Sequence, residues 1–194
     1  MAVNSFMVEL GAPAPAFTLP SASTGEPVSL DDYRESPALL VAFLSNHCPY
    51  VRHIEAALGE LTTRYAKLGL ATVAISANDV ENYPDDAPAR LVEQTERAGF
   101  EFAYLYDESQ QVASAYRAAC TPDLFLYGPA DADGNRPLAY RGQFDDSRPK
   151  NGSVATGESL AAAVDAVLAG DAVPEPHWPS TGCSIKWKPG NEPA

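Results

Sequence analysis

Cysteine is scarce in this chain: three in 194 residues, at positions 48, 120 and 183. A secreted scaffold stapled by disulfides would carry a denser, even-numbered set. In a reducing compartment, sparse cysteines serve either as small apolar residues or as chemistry, and position has to separate the two. Positive charge is scarce as well, with 13 Lys and Arg against 26 Asp and Glu and a formal net charge of −13. A phosphate-binding surface needs a cationic patch, so no nucleic-acid partner is expected. The acidic balance reads as solubility. Long apolar runs are missing too. The longest, Ala38 to Leu44, falls far short of the roughly 20 residues that span a bilayer, so no membrane segment is expected. Met1 to Ala16 lack early positive charge, and Glu9 interrupts their apolar stretch. That is a poor secretory signal, and a cytoplasmic protein is expected.

What is present reads as alternating strands and helices. Phe17 to Leu19, between two prolines, suits a short edge strand, and a Gly25-Glu26-Pro27 turn leads to a second at Val28 to Leu30. Ala38 to Leu44 is a continuous apolar run, the pattern of a central strand buried on both faces. From Pro49 to Leu68, the residues Val51, Ile54, Leu58, Leu61, Tyr65 and Leu68 recur every three or four positions, which predicts a helix with one apolar stripe closed by Gly69. Further strands are expected at Leu70 to Ser76, Ala103 to Tyr106, Asp123 to Tyr127 and Leu138 to Arg141, the last two as a hairpin. Further helices are expected at Pro88 to Ala98, Ser109 to Tyr116 and Gly157 to Leu168. This order implies an α/β fold with a central mixed sheet flanked by helices. One domain over 1–170 is expected, followed by a proline-rich tail over 171–194 that packs on it. In that tail Ile185 and Trp187 alternate with Ser184 and Lys186, as in a strap with one apolar side.

Cys48 stands where the buried strand meets the long helix. Sites in open α/β sheets form beyond the carboxyl ends of strands. Pro49 fits the first helical position, so the Cys48 sulfur is expected to face free N–H groups that favour a thiolate. Cys48 is therefore expected to alkylate ahead of Cys120 and Cys183. The alternative, a buried inert cysteine, is the commoner state of cysteines in general, but the strand-to-helix position argues for chemistry. His47 is either a proton acceptor for the thiol or a flank of the loop, and His53 reads as a solvated helix residue. His47, Cys48 and His53 match no zinc spacing, so no metal is expected. The acidic loop Asn78 to Pro88 reads as solvated, with Asp85 or Asp86 starting the next helix; the alternative is that it rims the site. Gln143, Asp145, Asp146 and Arg148 form a polar loop with no assigned chemistry.

Several segments carry a resemblance. Phe43-Leu44-Ser45-Asn46-His47-Cys48-Pro49-Tyr50-Val51 resembles the active-site segment of thioredoxin-family proteins. Gly11 to Pro20 resembles the N-terminus of the alkyl hydroperoxide reductase/thiol-specific antioxidant (redoxin) group, and Thr121-Pro122 resembles a cis-proline loop. The whole chain, including Pro179 to Lys188, is similar to a bacterial, peroxiredoxin-like thioredoxin-family subgroup. The resemblance implies a thioredoxin fold with a redoxin-type N-terminal extension and a C-terminal tail. Two departures stand out. Val51 occupies the second position of a Cys-x-x-Cys motif, so no dithiol forms within this helix turn, and Val41 replaces the proline that a peroxiredoxin carries seven residues before its peroxidatic cysteine, while Ser45 supplies the hydroxyl.

The resemblance implies a thiol-disulfide oxidoreductase or peroxiredoxin-like antioxidant that needs no cofactor. Cys48 is the expected nucleophile. Cys120, beside the cis-proline loop, is the first choice of resolving partner and Cys183 the second. Ser45, Asn46, His47, Pro49, Tyr50, Thr121 and Pro122 are expected to shape the site, with Arg141 as a strand arginine that could reach it. The expected partners are a protein or small-molecule disulfide, or a peroxide, and an external thiol reductant such as a thioredoxin or glutathione system, with the chain acting as monomer or homodimer. A non-enzymatic redox sensor or binding protein is the rival reading, because fold alone does not prove turnover.

Overall fold

The computed structural model describes residues 2–192; Met1, Pro193 and Ala194, which belong to the expected 1–170 domain and 171–194 tail, lie outside the described residues. The strands, in chain order, are β1 (Ala2–Asn4), β2 (Thr18–Pro20), β3 (Pro27–Ser29), β4 (Ala38–Phe43), β5 (Leu70–Ser76), β6 (Ala103–Tyr106), β7 (Cys120–Thr121), β8 (Asp123–Tyr127), β9 (Leu138–Arg141) and β10 (Thr181–Ser184). The α-helices are α1 (Pro49–Ala66), α2 (Pro88–Ala98), α3 (Gln111–Ala115) and α4 (Glu158–Ala169). Strands β6, β5, β4, β8 and β9 form the main sheet in that order. Pairing is parallel from β4 to β6 and antiparallel from β4 through β8 to β9, so the sheet is mixed. No helix among the described residues is long and apolar enough to cross a membrane.

The apolar run Ala38–Phe43 explains the architecture. Successive strand side chains point to opposite faces, and both faces of β4 are covered. Leu40, Ala42 and Leu44 join a core with Val51, Ile54, Leu58 and Leu61 of α1, Leu91 of α2, and Leu160, Ala163 and Val164 of α4. Leu39, Val41 and Phe43 join a second core with Val73, Ile75, Phe125, Ala113 of α3, the N-terminal Phe17 and Leu19, and Ile185 of the tail.

Helix α1 stops at Ala66, two residues before the expected end. Leu68, assigned to the apolar stripe from its spacing, lies past the helix and is exposed. The Ser109 to Tyr116 helix shortens to Gln111–Ala115, because Gln110 adopts a left-handed φ of 64° that starts the turn late. Three short strands were not expected from the sequence. β1, β10 and β7 pair in that order as a separate antiparallel sheet, which makes part of the tail a strand locked between two neighbours.

Helix α1 crosses close to the end of α2 at Gly59, where an added Cβ would lie 2.3 Å from the Ala98 carbonyl oxygen. Alanine is favoured over glycine in a helix by about 1 kcal/mol, but forcing an atom into a packed contact costs about 1–3 kcal/mol. Gly59→Ala is therefore expected to destabilise the protein by up to roughly 2 kcal/mol. A thermal melt checks this, and an increase in Tm contradicts the close packing.

Candidate functional site

The site forms where β4 runs into α1. Cys48 is the N-cap of α1, with extended backbone (φ −71°, ψ 121°) and Pro49 opening the helix. Its side chain makes no cap hydrogen bond. The Sγ instead donates to the Thr121 carbonyl oxygen at 3.1 Å. This corrects the expectation that the sulfur faces the free N–H groups of the helix. Cys48 is 0% exposed, so its expected lead in alkylation has to be reached through local opening.

The loop before Cys48 is tied down by one carboxylate, Asp86. Its oxygens accept from the Ser45 hydroxyl at 3.0 and 3.1 Å, the Asn46 N–H at 2.6 Å and the Asn78 side-chain amide at 2.6 Å. The His47 Nδ1 stands 2.8 Å from the same carboxylate, and the His47 backbone N–H lies at 3.3 Å. Burial raises the Asp86 pKa, but the hydrogen bonds from His47, Asn78 and Ser45 outweigh it and hold the carboxyl below its ordinary value. The His47 ring stacks on Tyr83, centroids 5.7 Å apart. Asn46 is fixed from two further sides: its amide donates to the Asp85 carbonyl, and its Oδ1 accepts from Arg97, which pairs with Glu55 at 2.8 Å. Asp86 is 0% exposed and Asp79 4%, so this part of the acidic loop is a buried anchor and not a solvated stretch. Three donors converging from Ser45, Asn46 and His47 were the signal for it, since consecutive polar residues at a buried strand end need an acceptor.

The cis-proline loop lies against Cys48. The Thr121–Pro122 bond is cis. The antiparallel register pairs Thr121 with Cys183 and Cys120 with Ser184. Side chains alternate along a strand, so Cys120 and Cys183 point to opposite faces of the small sheet. Cys183 packs against the core cluster that contains Cys48, and burial, together with its interaction with Cys48, pushes the Cys183 pKa up to about 11. Cys120 is buried and its thiol is turned to the Pro122 carbonyl at 3.4 Å. Burial, with the charges of Asp123, Cys48 and Cys183, pushes its pKa far up. Of the two expected partners, Cys183 packs against the core that contains Cys48, while the Cys120 thiol is turned to the Pro122 carbonyl. Cys183 is half-buried.

The remaining site residues divide. Tyr50, Pro122 and Thr181 line a pocket together with His53, Gln143 and Ser147, and neither Cys48 nor Cys183 lines it. His53 is held by the Ser147 hydroxyl at 3.0 Å and is only partly exposed, which corrects its reading as a solvated residue. Arg141 donates to the Val8 carbonyl and to the His177 ring, so its guanidinium fastens the N-terminal segment and the tail and not the thiols. Among the described residues no three His, Cys, Asp or Glu side chains come together as a metal-ligand set.

A mixed sheet flanked by helices, a cysteine capping the first long helix and a cis-proline loop against its sulfur define a thioredoxin-fold protein of the redoxin type. Residues 10–144 match the AhpC/TSA family model, and the chain belongs to the AhpC/TSA family. It is similar to the structure of an uncharacterized conserved protein from Geobacillus kaustophilus, with 47% identity, a TM-score of 0.92 and 98% of each chain covered. It is similar also to a hypothetical protein from Sinorhizobium meliloti 1021, with 48% identity, a TM-score of 0.91, and 96% of this chain and 99% of that one covered. A secreted Mycobacterium tuberculosis disulfide oxidoreductase homologous to E. coli DsbE matches at 15% identity and a TM-score of 0.56, over 77% of this chain and 95% of that one, and shows the fold alone. No protein of curated description matches this sequence.

Asp86→Asn is expected to cost about 2–4 kcal/mol at neutral pH, because the amide cannot accept from all of its donors and leaves buried groups unpaired. The pH sign follows from the lowered folded-state value. Asp86 contributes its stability above the ordinary 3.8 and loses it as pH falls through its folded value. The difference between wild type and variant in urea midpoint is expected to shrink between about pH 7 and about pH 3. A difference that stays constant or grows on acidification contradicts the ionised anchor.

Proposed function

We propose that the chain is a thiol-based oxidoreductase whose Cys48–Cys183 pair cycles between dithiol and disulfide, acting in the cytoplasm. The observation that carries this reading is the register that sets Cys183 opposite Thr121, whose carbonyl accepts the Cys48 thiol, with Cys183 packed against the core that contains Cys48. A disulfide needs Cα atoms within about 7 Å, and that is the separation the proposed pair has to reach. This pair takes the place of the dithiol that Val51 precludes.

The chemistry balances with either expected oxidant. With a peroxide, one thiol of the pair becomes a sulfenic acid and ROOH becomes ROH. The second thiol then displaces water and closes the disulfide. With a disulfide RSSR, one thiol forms a mixed disulfide and releases RSH, and the second releases another RSH as the bridge closes. Two electrons and two protons leave the pair in each case. Cys48 is the thiol that closes the bridge. The cycle completes when an external thiol system, thioredoxin or glutathione, reduces the bridge. The family name and the folds of disulfide oxidoreductases support this class of reaction.

One equivalent of peroxide is expected to give a dominant Cys48–Cys183 bridge, read by peptide mass spectrometry under non-reducing conditions. Cys120→Ser is expected to leave the bridge and reductant-coupled NADPH consumption intact, whereas Cys183→Ser abolishes both. A dominant Cys48–Cys120 bridge, or full turnover by Cys183→Ser, contradicts the proposed pair.

A further inference from the structure

Strand β7 is two residues long and directly beside the Cys48 sulfur, which bonds to its Thr121 carbonyl. An open strand edge beside a cysteine is a template on which an extended peptide adds, backbone to backbone. Here the chain itself fills that edge. β10 pairs with β7 on one side and with β1 on the other, so neither of its own edges is free. The approach is close: a Cβ added at Gly182 would lie 2.0 Å from the Thr121 carbonyl oxygen.

The strand is fastened beyond its own length. The Ile185 N–H donates to the Ala119 carbonyl at 3.1 Å, and the Ile185 side chain, 4% exposed, sits in the second core. The Lys186 N–H donates to the Asn78 side chain at 2.7 Å, and the Lys186 carbonyl accepts from the Asp79 N–H at 2.8 Å. Upstream, the Ser180 hydroxyl donates to the Gly142 carbonyl at 2.7 Å. Beneath this strap Cys48 is wholly buried, while Cys183 is partly exposed. The Lys186 ammonium, bonded to the Ser184 carbonyl, offsets part of the rise that burial and Cys48 impose on the Cys183 pKa.

We propose that β10 is a built-in substrate strand, that Cys183 is the sulfur that meets external partners, and that those partners are small disulfides and thiols, not extended polypeptides. The proposal rests on the Cys48–Cys183 pair and assigns its polarity. Cys183 as thiolate attacks one sulfur of RSSR, forms Cys183–S–S–R and expels RS⁻, which takes up a proton. Cys48 gives up its proton, attacks the Cys183 sulfur, closes the intramolecular bridge and expels the second RS⁻. Reduction runs backwards: a small thiolate attacks Cys183 and releases Cys48. An extended peptide has no strand edge to pair with unless β10 first leaves.

Full-length Cys48→Ser and Cys183→Ser proteins, each treated with hydroxyethyl disulfide, separate the two sulfurs by the rate of mixed-disulfide formation in mass spectrometry. Cys183 in the first variant is expected to react about tenfold or more faster than Cys48 in the second, since a fully buried thiol reacts only through local opening. The wild-type protein is expected to discriminate about tenfold or more against the same hydroxyethyl disulfide carried at the centre of an extended peptide, relative to both rates on the unfolded chain. Gly182→Ala, which forces β10 off Thr121, is expected to erase that discrimination. The Cys→Ser comparison stands without this third variant if it fails to fold. Faster reaction at Cys48, or equal reaction of peptide and small disulfide with the wild type, overturns the proposal while a normal Cys48–Cys183 bridge leaves the oxidoreductase reading intact. Absence of that bridge overturns the reading itself.

Discussion

The antiparallel pairing of β10 with β7 places the reactive groups of the site. It sets Cys183 opposite Thr121, whose carbonyl accepts the Cys48 thiol, and so packs Cys183, from a distant part of the chain, against the core that contains Cys48. A shift of one residue in that register would turn Cys183 to the other face and present Gly182 or Ser184 to Cys48, because strand side chains alternate with a period of two. Gly182 fixes the approach: any side chain there would meet the Thr121 backbone. The tail is thus an interior strand of a small sheet, and its placement depends on hydrogen bonds made along its whole length.

The second constraint is Asp86. A strand that ends in Ser45, Asn46 and His47 brings donors into a buried corner, and one carboxylate collects them. Buried charge is costly unless it is hydrogen-bonded, and Asp86 meets that requirement with donors from three loop residues and Asn78. Asn78 also accepts from the Lys186 N–H. The same loop therefore fixes the segment leading to Cys48 and the strap leading from Cys183, so both halves of the thiol pair are referenced to one anchor.

Much of the fold was legible in the sequence because its elements are strongly patterned. Leu70–Ser76, Pro88–Ala98, Ala103–Tyr106, Asp123–Tyr127 and Leu138–Arg141 form as expected, each carrying a period or a bounding turn that local chemistry sets. Cys48 and its polar loop were legible for the same reason, at the junction of a buried strand and a capped helix. The packing of Cys183 against the core that contains Cys48 was not. Thr181–Ser184 consists of small residues without apolar alternation, and its pairing is decided by contacts far away in sequence. Proximity of Cys120 to Pro122 suggested a rim position, but strand alternation turns that side chain to the Pro122 carbonyl. Asp86 was read as part of a solvated loop that starts the next helix because an acidic loop normally keeps its charge in water, and only the folded arrangement supplies the donors that make burial favourable. Arg141 is a strand arginine as expected, but the tail places a histidine against it.

The central claim is that the tail strand is a permanent wall of the redox site in the reduced protein. Amide hydrogen exchange of the reduced native protein tests it most directly, through the amides of Ile185 and Lys186, which donate to Ala119 and Asn78. If β10 is a fixed strand, these amides exchange nearly as slowly as those of the central strand β4, whose opening requires disruption of both cores. Exchange of Ile185 and Lys186 at rates close to those of an unstructured peptide, while β4 stays protected, would contradict the account, because the strand that carries Cys183 would then not be held against Cys48.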